Sequence, residues 1–190
     1  MTPRLTVVAH NIRSLANVGA LFRTCDGAGV NELVLSGYTG TPPDRRISKV
    51  ALGAEESVAW RSVPEPQQLI DLLGTMYVVV LEQHPSAQRL GELTLPDDRD
   101  IALVACEELF GADDLVLERA DALLELPMRG MKQSLNVSMA AGIAMYDFAD
   151  RLWGTSASDL ASRQDRPPVR EGVLTLGVTA GETPNRHRPA

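Results

Sequence analysis

The chain has 190 residues, of which 44% are hydrophobic, 23% charged and 4% aromatic, and its formal net charge is −7. That length suits one domain with or without a tail, and the apolar fraction excludes a wholly disordered protein. No apolar run approaches the roughly 20 residues of a membrane-spanning helix, and the N-terminal apolar run is too short for a signal peptide, so a cytoplasmic protein is expected.

In chain order, Leu5–Ala9 is β-branched and apolar, the mark of a buried strand. A helix is expected from near Asn17 until Gly27 and Gly29 break it, followed by a strand over Glu32–Leu35. Residues 36–46, with Gly37, Gly40, Pro42 and Pro43, read as a loop ending in Arg45-Arg46. A helix over about 65–74 leads to a strand over Met76–Leu81. Ile101–Ala105 is another strand, a short helix follows around 112–119, and Leu123–Leu126 is the last strand. Pro127 and Gly130 open a long polar loop, after which Ser134 starts a helix reaching about Trp153. Its apolar Leu135, Met139, Ile143 and Tyr146 repeat at helical spacing. Strands alternating with helices predict an α/β fold, a parallel sheet covered on both faces, within a domain of residues 1–153. The Ser-, Arg- and Pro-rich residues 154–190 read as a flexible tail.

The charge is unevenly spread. Residues 1–61 carry +2, residues 62–127 carry −11, residues 128–150 are neutral and residues 151–190 carry +2. Either 62–127 is an ordinary solvated face, or the flanking segments fold into one neutral-to-basic face, with the acid turned away from it.

Common enzyme signatures are missing. The sequence has no phosphate loop, no complete dinucleotide fingerprint and no Gly-x-Ser-x-Gly elbow. Cys25 and Cys106 make no disulfide framework, and the scattered His10, His84 and His187 make no metal cluster, so no metal is expected.

Three polar islands remain, each at the C-terminal end of an expected strand, where open α/β sheets bind ligands. In the first, Asn17 fits an N-cap, Gly19 would let a ligand approach closely, and Arg23 supplies a fixed positive charge. The second, Cys106-Glu107-Glu108, puts two acids directly after a buried strand; either both are solvated or one points at a partner such as Arg23. The third runs from Leu126 to Ser138, with Arg129 and Lys132 suited to phosphates and with Ser134 and Asn136 at a helix start.

In this order and spacing the islands resemble the three motifs of the SPOUT superfamily, and more narrowly those of the SpoU/TrmH-type RNA 2′-O-ribose methyltransferases. The motifs are Asn17-x-Gly19-x-x-x-Arg23, Cys106-x-Glu108-x-x-Gly111 and Pro127-Met-x-Gly-Met-x-x-Ser134-Leu-Asn136-Val-Ser138. Ala51–Val58 resembles a segment frequent in one bacterial branch. The second motif departs from the family pattern, with Cys106 where the family has glycine. The resemblance implies a SPOUT fold with a deep C-terminal trefoil knot, a homodimer, and S-adenosylmethionine held near Leu81, Cys106, Leu126, Met128, Ser134 and Leu135. It also implies catalytic roles for Arg23, Asn17, Glu108, Ser134 and Asn136, and an RNA substrate, tRNA before rRNA. Arg13, Arg23, Arg45, Arg46, Arg129 and Lys132 would meet that RNA over a small footprint of shallow salt dependence. The cysteine leaves open a dimer that binds RNA but has lost the cofactor.

Overall fold

The computed structural model describes residues 2–107 and 110–154, so most of the expected tail lies outside the described residues. The fold is built outward from Leu5–His10 (β1), whose six residues are all buried. Helix Leu15–Ala28 (α1) follows; Ser14 caps it by accepting the Asn17 N–H at 3.3 Å, and Gly29 closes it in the left-handed region at φ 74°. Asn17 therefore lies inside the first turn and is not the cap, because Ser14 offers its hydroxyl three residues earlier. Glu32–Ser36 (β2) comes next.

The expected loop over 36–46 holds only to Asp44, which caps Arg45–Ala51 (α2). Ala54–Ser57 (α3) and the edge strand Trp60–Val63 (β3) follow, and the sequence reading contains none of these three elements. Pro66–Leu73 (α4) and Tyr77–Leu81 (β4) match their expected places, and Gln88–Arg89 (β5) is a further short strand. Ile101–Cys106 (β6), Asp114–Arg119 (α5), Ala122–Glu125 (β7) and Val137–Trp153 (α6) complete the described chain. The last helix begins three residues later than expected, because Asn136 and not Ser134 caps it.

All strand pairs are parallel, and the sheet order is β3-β2-β1-β6-β4-β7-β5. Side chains alternate between the two faces with the period of two that strands impose. Val7, Ala9, Val79 and Leu103 join α1, α2 and α6 in one core around Phe22 and Phe148. Val8, Val78, Val80 and Val104 join α4 and α5 in the other. Both faces are thus covered, as the uninterrupted apolar strands require. Gly19 belongs to this packing: a Cβ there would lie 2.6 Å from the Ile47 carbonyl oxygen. It lets α1 and α2 meet backbone to backbone, not α1 and a ligand. Among the described residues no helix is long and apolar enough to cross a membrane.

Candidate active site

A parallel sheet delivers every strand to the same edge, so the segments after β1, β2, β4, β6 and β7 converge at their C-terminal ends. A cleft of about 330 Å³ opens there. Leu81, Cys106, Leu126, Ser134 and Leu135, all named from the sequence, line it; Met128 is half-buried and is not part of the lining. Val137 and Ala140 of α6 and the exposed ring of Phe110 add apolar wall.

Glu82, Glu107 and Glu125 also border the cleft. The expectation that the acidic middle of the chain faces away from the site is corrected on this point, because β4, β6 and β7 all end here. Glu82 grips the loop after β6: its Oε2 accepts the Ala112 N–H at 2.8 Å, and a side chain at Gly111 would overlap it, with Cβ 2.5 Å from Oε2. Glu107 pairs with Arg13, Nε to Oε2 3.2 Å, and not with Arg23. Arg13 follows β1 directly and so reaches the end of the adjacent β6, whereas Arg23 lies two turns further along α1. Glu108 lies outside the described residues.

The first and third motifs meet through a pair of amides. Asn136 Nδ2 donates to Asn17 Oδ1 at 3.0 Å, while Asn136 Oδ1 accepts the Ser138 N–H at 2.9 Å and the Ser138 hydroxyl at 2.7 Å. One side chain therefore caps α6 and holds α6 against the buried Asn17 of α1. Asn136 separates Leu135 from Val137, both in the cleft wall.

A second network escaped the sequence reading. His10, the last residue of β1, is buried; its Nδ1 lies 2.7 Å from Ser36 Oγ and its Nε2 lies 2.8 Å from Asp113 Oδ2. Asn11 Nδ2 lies 3.0 Å from the same Nε2, so that nitrogen stands between an amide donor and a carboxylate acceptor. Asp113 also caps α5 through Oδ1, so one carboxylate fastens the far end of the β6–α5 loop to the end of β1. Partial burial works to raise its pKa, but the hydrogen bonds from His10 and the Val116 N–H hold the carboxyl below its ordinary range. The available signal was a histidine closing an otherwise apolar strand. Burial pushes the Cys106 thiol well above the usual thiol range, with the nearby Glu82, Asp113 and Glu107 carboxylates adding to the shift.

The cations are less evenly available than their number suggests. Arg23, Arg45, Arg129 and Lys132 are exposed. Arg46 is engaged by Asp44 in a two-pronged pair at 2.9 and 3.1 Å, which draws the Asp44 carboxyl down to about 2, with the Arg46 backbone N–H assisting. On α6 the apolar Met139, Ile143 and Tyr146 stand exposed along one face, with Leu135 just ahead of them.

The model of the SpoU rRNA Methylase family matches residues 4–146, the whole of the sheet and most of α6. The chain belongs to that family. It is 33% identical over 153 residues to the 23S rRNA (guanosine-2′-O-)-methyltransferase RlmB of Coxiella burnetii, covering 77% of this chain but only 58% of that protein. Against the tRNA (guanosine(18)-2′-O)-methyltransferase of Thermus thermophilus it is 31% identical over 149 residues, 76% of this chain and 74% of the other. Among solved structures, the AdoMet-bound rRNA methyltransferase from Sinorhizobium meliloti superposes with a TM-score of 0.72 at 21% identity, covering 80% of this chain and 57% of that one. At that identity the likeness concerns the fold. The three sequence motifs fall within the matched family region.

Proposed function

We propose that this chain transfers a methyl group from S-adenosylmethionine to a ribose 2′-hydroxyl of RNA. The observation that carries the reading is the Asn136–Asn17 hydrogen bond, which joins the first and third motifs beside the cleft. The activities named for the Coxiella and Thermus relatives, one on 23S rRNA and one on tRNA, support the same chemistry. The lining suits the cofactor: Leu81, Leu126 and Leu135 offer apolar surface to a purine, and the carboxylates of Glu82, Glu107 and Glu125 favour a positively charged ligand. Met128, although outside the lining, belongs with Cys106 and Ser134 to the residues assigned to holding it.

When bound, the cofactor supplies a methyl group on a sulfonium, activated for attack by oxygen. Arg23, permanently charged, stabilises the alkoxide that develops as the 2′-hydroxyl releases its proton to solvent. Asn17, Ser134, Asn136 and Glu108 orient Arg23 and the nucleotide, and that positioning would contribute much of the rate. Arg13, Arg45, Arg129 and Lys132 meet phosphates, and Arg46 joins them by exchanging its Asp44 partner for one.

The exposed face of Met139, Ile143 and Tyr146 supports a homodimer in which Arg23 serves the site across the interface. β7 lies between β4 and β5, both earlier in the chain, which supports a C-terminal trefoil knot. tRNA is the favoured substrate; rRNA is the second reading, favoured by the Coxiella relative.

The test is to incubate the purified protein with methyl-labelled S-adenosylmethionine and RNA from cells lacking the gene, mapping 2′-O-methyl sites by mass spectrometry. Wild type labels a discrete site; Arg23→Ala abolishes labelling yet binds the cofactor in calorimetry. Protein that binds the cofactor and modifies no RNA overturns the reading.

A further inference from the structure

We infer that Tyr38 is a stacking platform for a base of the RNA substrate, held beside the cleft mouth by Asn11 and Arg13. The inference rests on the proposed RNA methylation and names a substrate-binding residue outside the three motifs.

A single exposed tyrosine is ordinary on a protein surface. Tyr38 differs in how firmly its backbone is held while its ring, with the residue 54% exposed, stays in solvent. On one side Gly37 takes φ 63°, where a Cβ would sit 1.9 Å from Asn11 Oδ1, so no other residue fits there. That same oxygen accepts the Tyr38 N–H at 3.2 Å, and Asn11 itself holds a left-handed φ of 58° to present it. On the other side the buried Thr39 hydroxyl accepts the Ile12 N–H and donates to the Ala9 carbonyl, both at 2.9 Å. The loops after β1 and β2 are thus laced together on both sides of the tyrosine. The left-handed backbone of Asn11 beneath an exposed aromatic ring is accounted for if the ring has a partner there, since a preorganised platform loses little entropy on binding.

The chemistry of that partner follows from the neighbours. Arg13 lies with its guanidinium carbon 5.9 Å from the ring centroid and pairs with Glu107, which lines the cleft. The Tyr38 hydroxyl stands next to both Arg13 and Glu107, and its closeness to Arg13 is the first cause of that guanidinium's raised pKa, ahead of Glu107. The platform therefore stands one ion pair from the cleft. An exposed π-face beside a cation suits a nucleobase with its phosphate better than an apolar protein surface, which would take the Arg13–Glu107 pair out of water without offering it a further partner.

The experiment compares Tyr38→Ala, Tyr38→Phe and Tyr38→Trp with wild type, using RNA from cells lacking the gene. Tyr38→Ala is expected to weaken RNA binding by roughly five- to a hundredfold, the range for losing one stacked base, with cofactor affinity and Tm near wild type. Tyr38→Phe and Tyr38→Trp retain binding within about threefold, and the new tryptophan's emission is quenched as RNA is added. Wild-type binding by Tyr38→Ala, an unquenched Tyr38→Trp, or a Tyr38→Phe as weak as Tyr38→Ala overturns the platform alone. Wild type that neither binds nor methylates RNA overturns the underlying function and the platform with it.

Discussion

Gly19 offers a sharp test of how α1 and α2 are joined. Gly19→Ala adds one methyl group in a helix interior, where alanine is normally the better residue by about 1 kcal/mol. Here that methyl carbon meets the Ile47 carbonyl oxygen at 2.6 Å, Val50 Cβ at 2.9 Å and the Ala51 nitrogen at 3.2 Å. Ordinary contact begins at 3.4 Å, so the two helices must part by about 0.8 Å. Two of the three obstacles are backbone atoms that no rotamer change can move. Overpacking a buried site costs ~1–3 kcal/mol, and backbone obstruction puts this site at the upper end. Less the helix-propensity gain, the net loss is about 2 kcal/mol, which lowers Tm by roughly 4–8 °C in a domain of this size. Thermal unfolding followed by circular dichroism reads the difference. Gly142→Ala is the control: its added carbon meets only the Thr24 side chain, at 3.3 Å, and it should melt no lower than wild type. A Gly19→Ala protein as stable as wild type would show that α1 and α2 are not in backbone contact.

Three further outcomes are expected. Asn136→Asp keeps an N-cap as good as asparagine but removes the amide that donates to Asn17; methyl transfer should fall while Tm changes little, whereas Asn136→Ala should also lose ~1 kcal/mol of stability in urea titration. The Asp44 carboxyl titrates at about 2 in the folded chain, below the ~3.9 of an unfolded one, so its contribution is complete above the unfolded value and disappears as pH falls toward the folded one. The stability difference between wild type and Asp44→Asn, measured by urea unfolding, should therefore be constant above about pH 5 and shrink between about pH 4 and 2, and a gap independent of pH would refute the pairing. Cys106→Gly enlarges the cleft wall and should tighten S-adenosylmethionine binding in calorimetry, while in wild type the buried thiol, its pKa raised, should react slowly with iodoacetamide at pH 8.

The apolar strands were readable because burial on both faces leaves no exposed position to break the run, as Leu5–His10 and Ile101–Cys106 illustrate. The α2–α3–β3 segment was not, since α2 and α3 are short and Trp60–Val63 is an edge strand with two exposed residues. At the helix starts the reading chose the wrong cap twice. Ser14 and Asn17 both have cap chemistry, as do Ser134 and Asn136, and only the backbone decides which oxygen faces the first turn. The family resemblance pointed to the cleft, and five of the six residues it assigned to the cofactor line it. Spacing carried no information about Glu82, His10 or Tyr38, whose positions depend on strand order and not on neighbours in sequence. The same holds for Arg13 taking the partner assigned to Arg23: adjacency of β1 and β6 is a long-range property.

That adjacency has a consequence for how the chain is made. β1 is synthesised first, yet its neighbour β6 lies 96 residues downstream at Leu5 and Ile101. β4, also waiting for β6, is its neighbour on the far side. Until β6 emerges, the growing polypeptide carries two open sheet edges composed mostly of valine, leucine and alanine, the kind of surface that recruits other strands. Placing a late-arriving strand in the middle of the sheet makes its arrival a closing step and not an extension. Folding should accordingly be slow for a domain of this length, and most vulnerable to aggregation just before residue 106 leaves the ribosome.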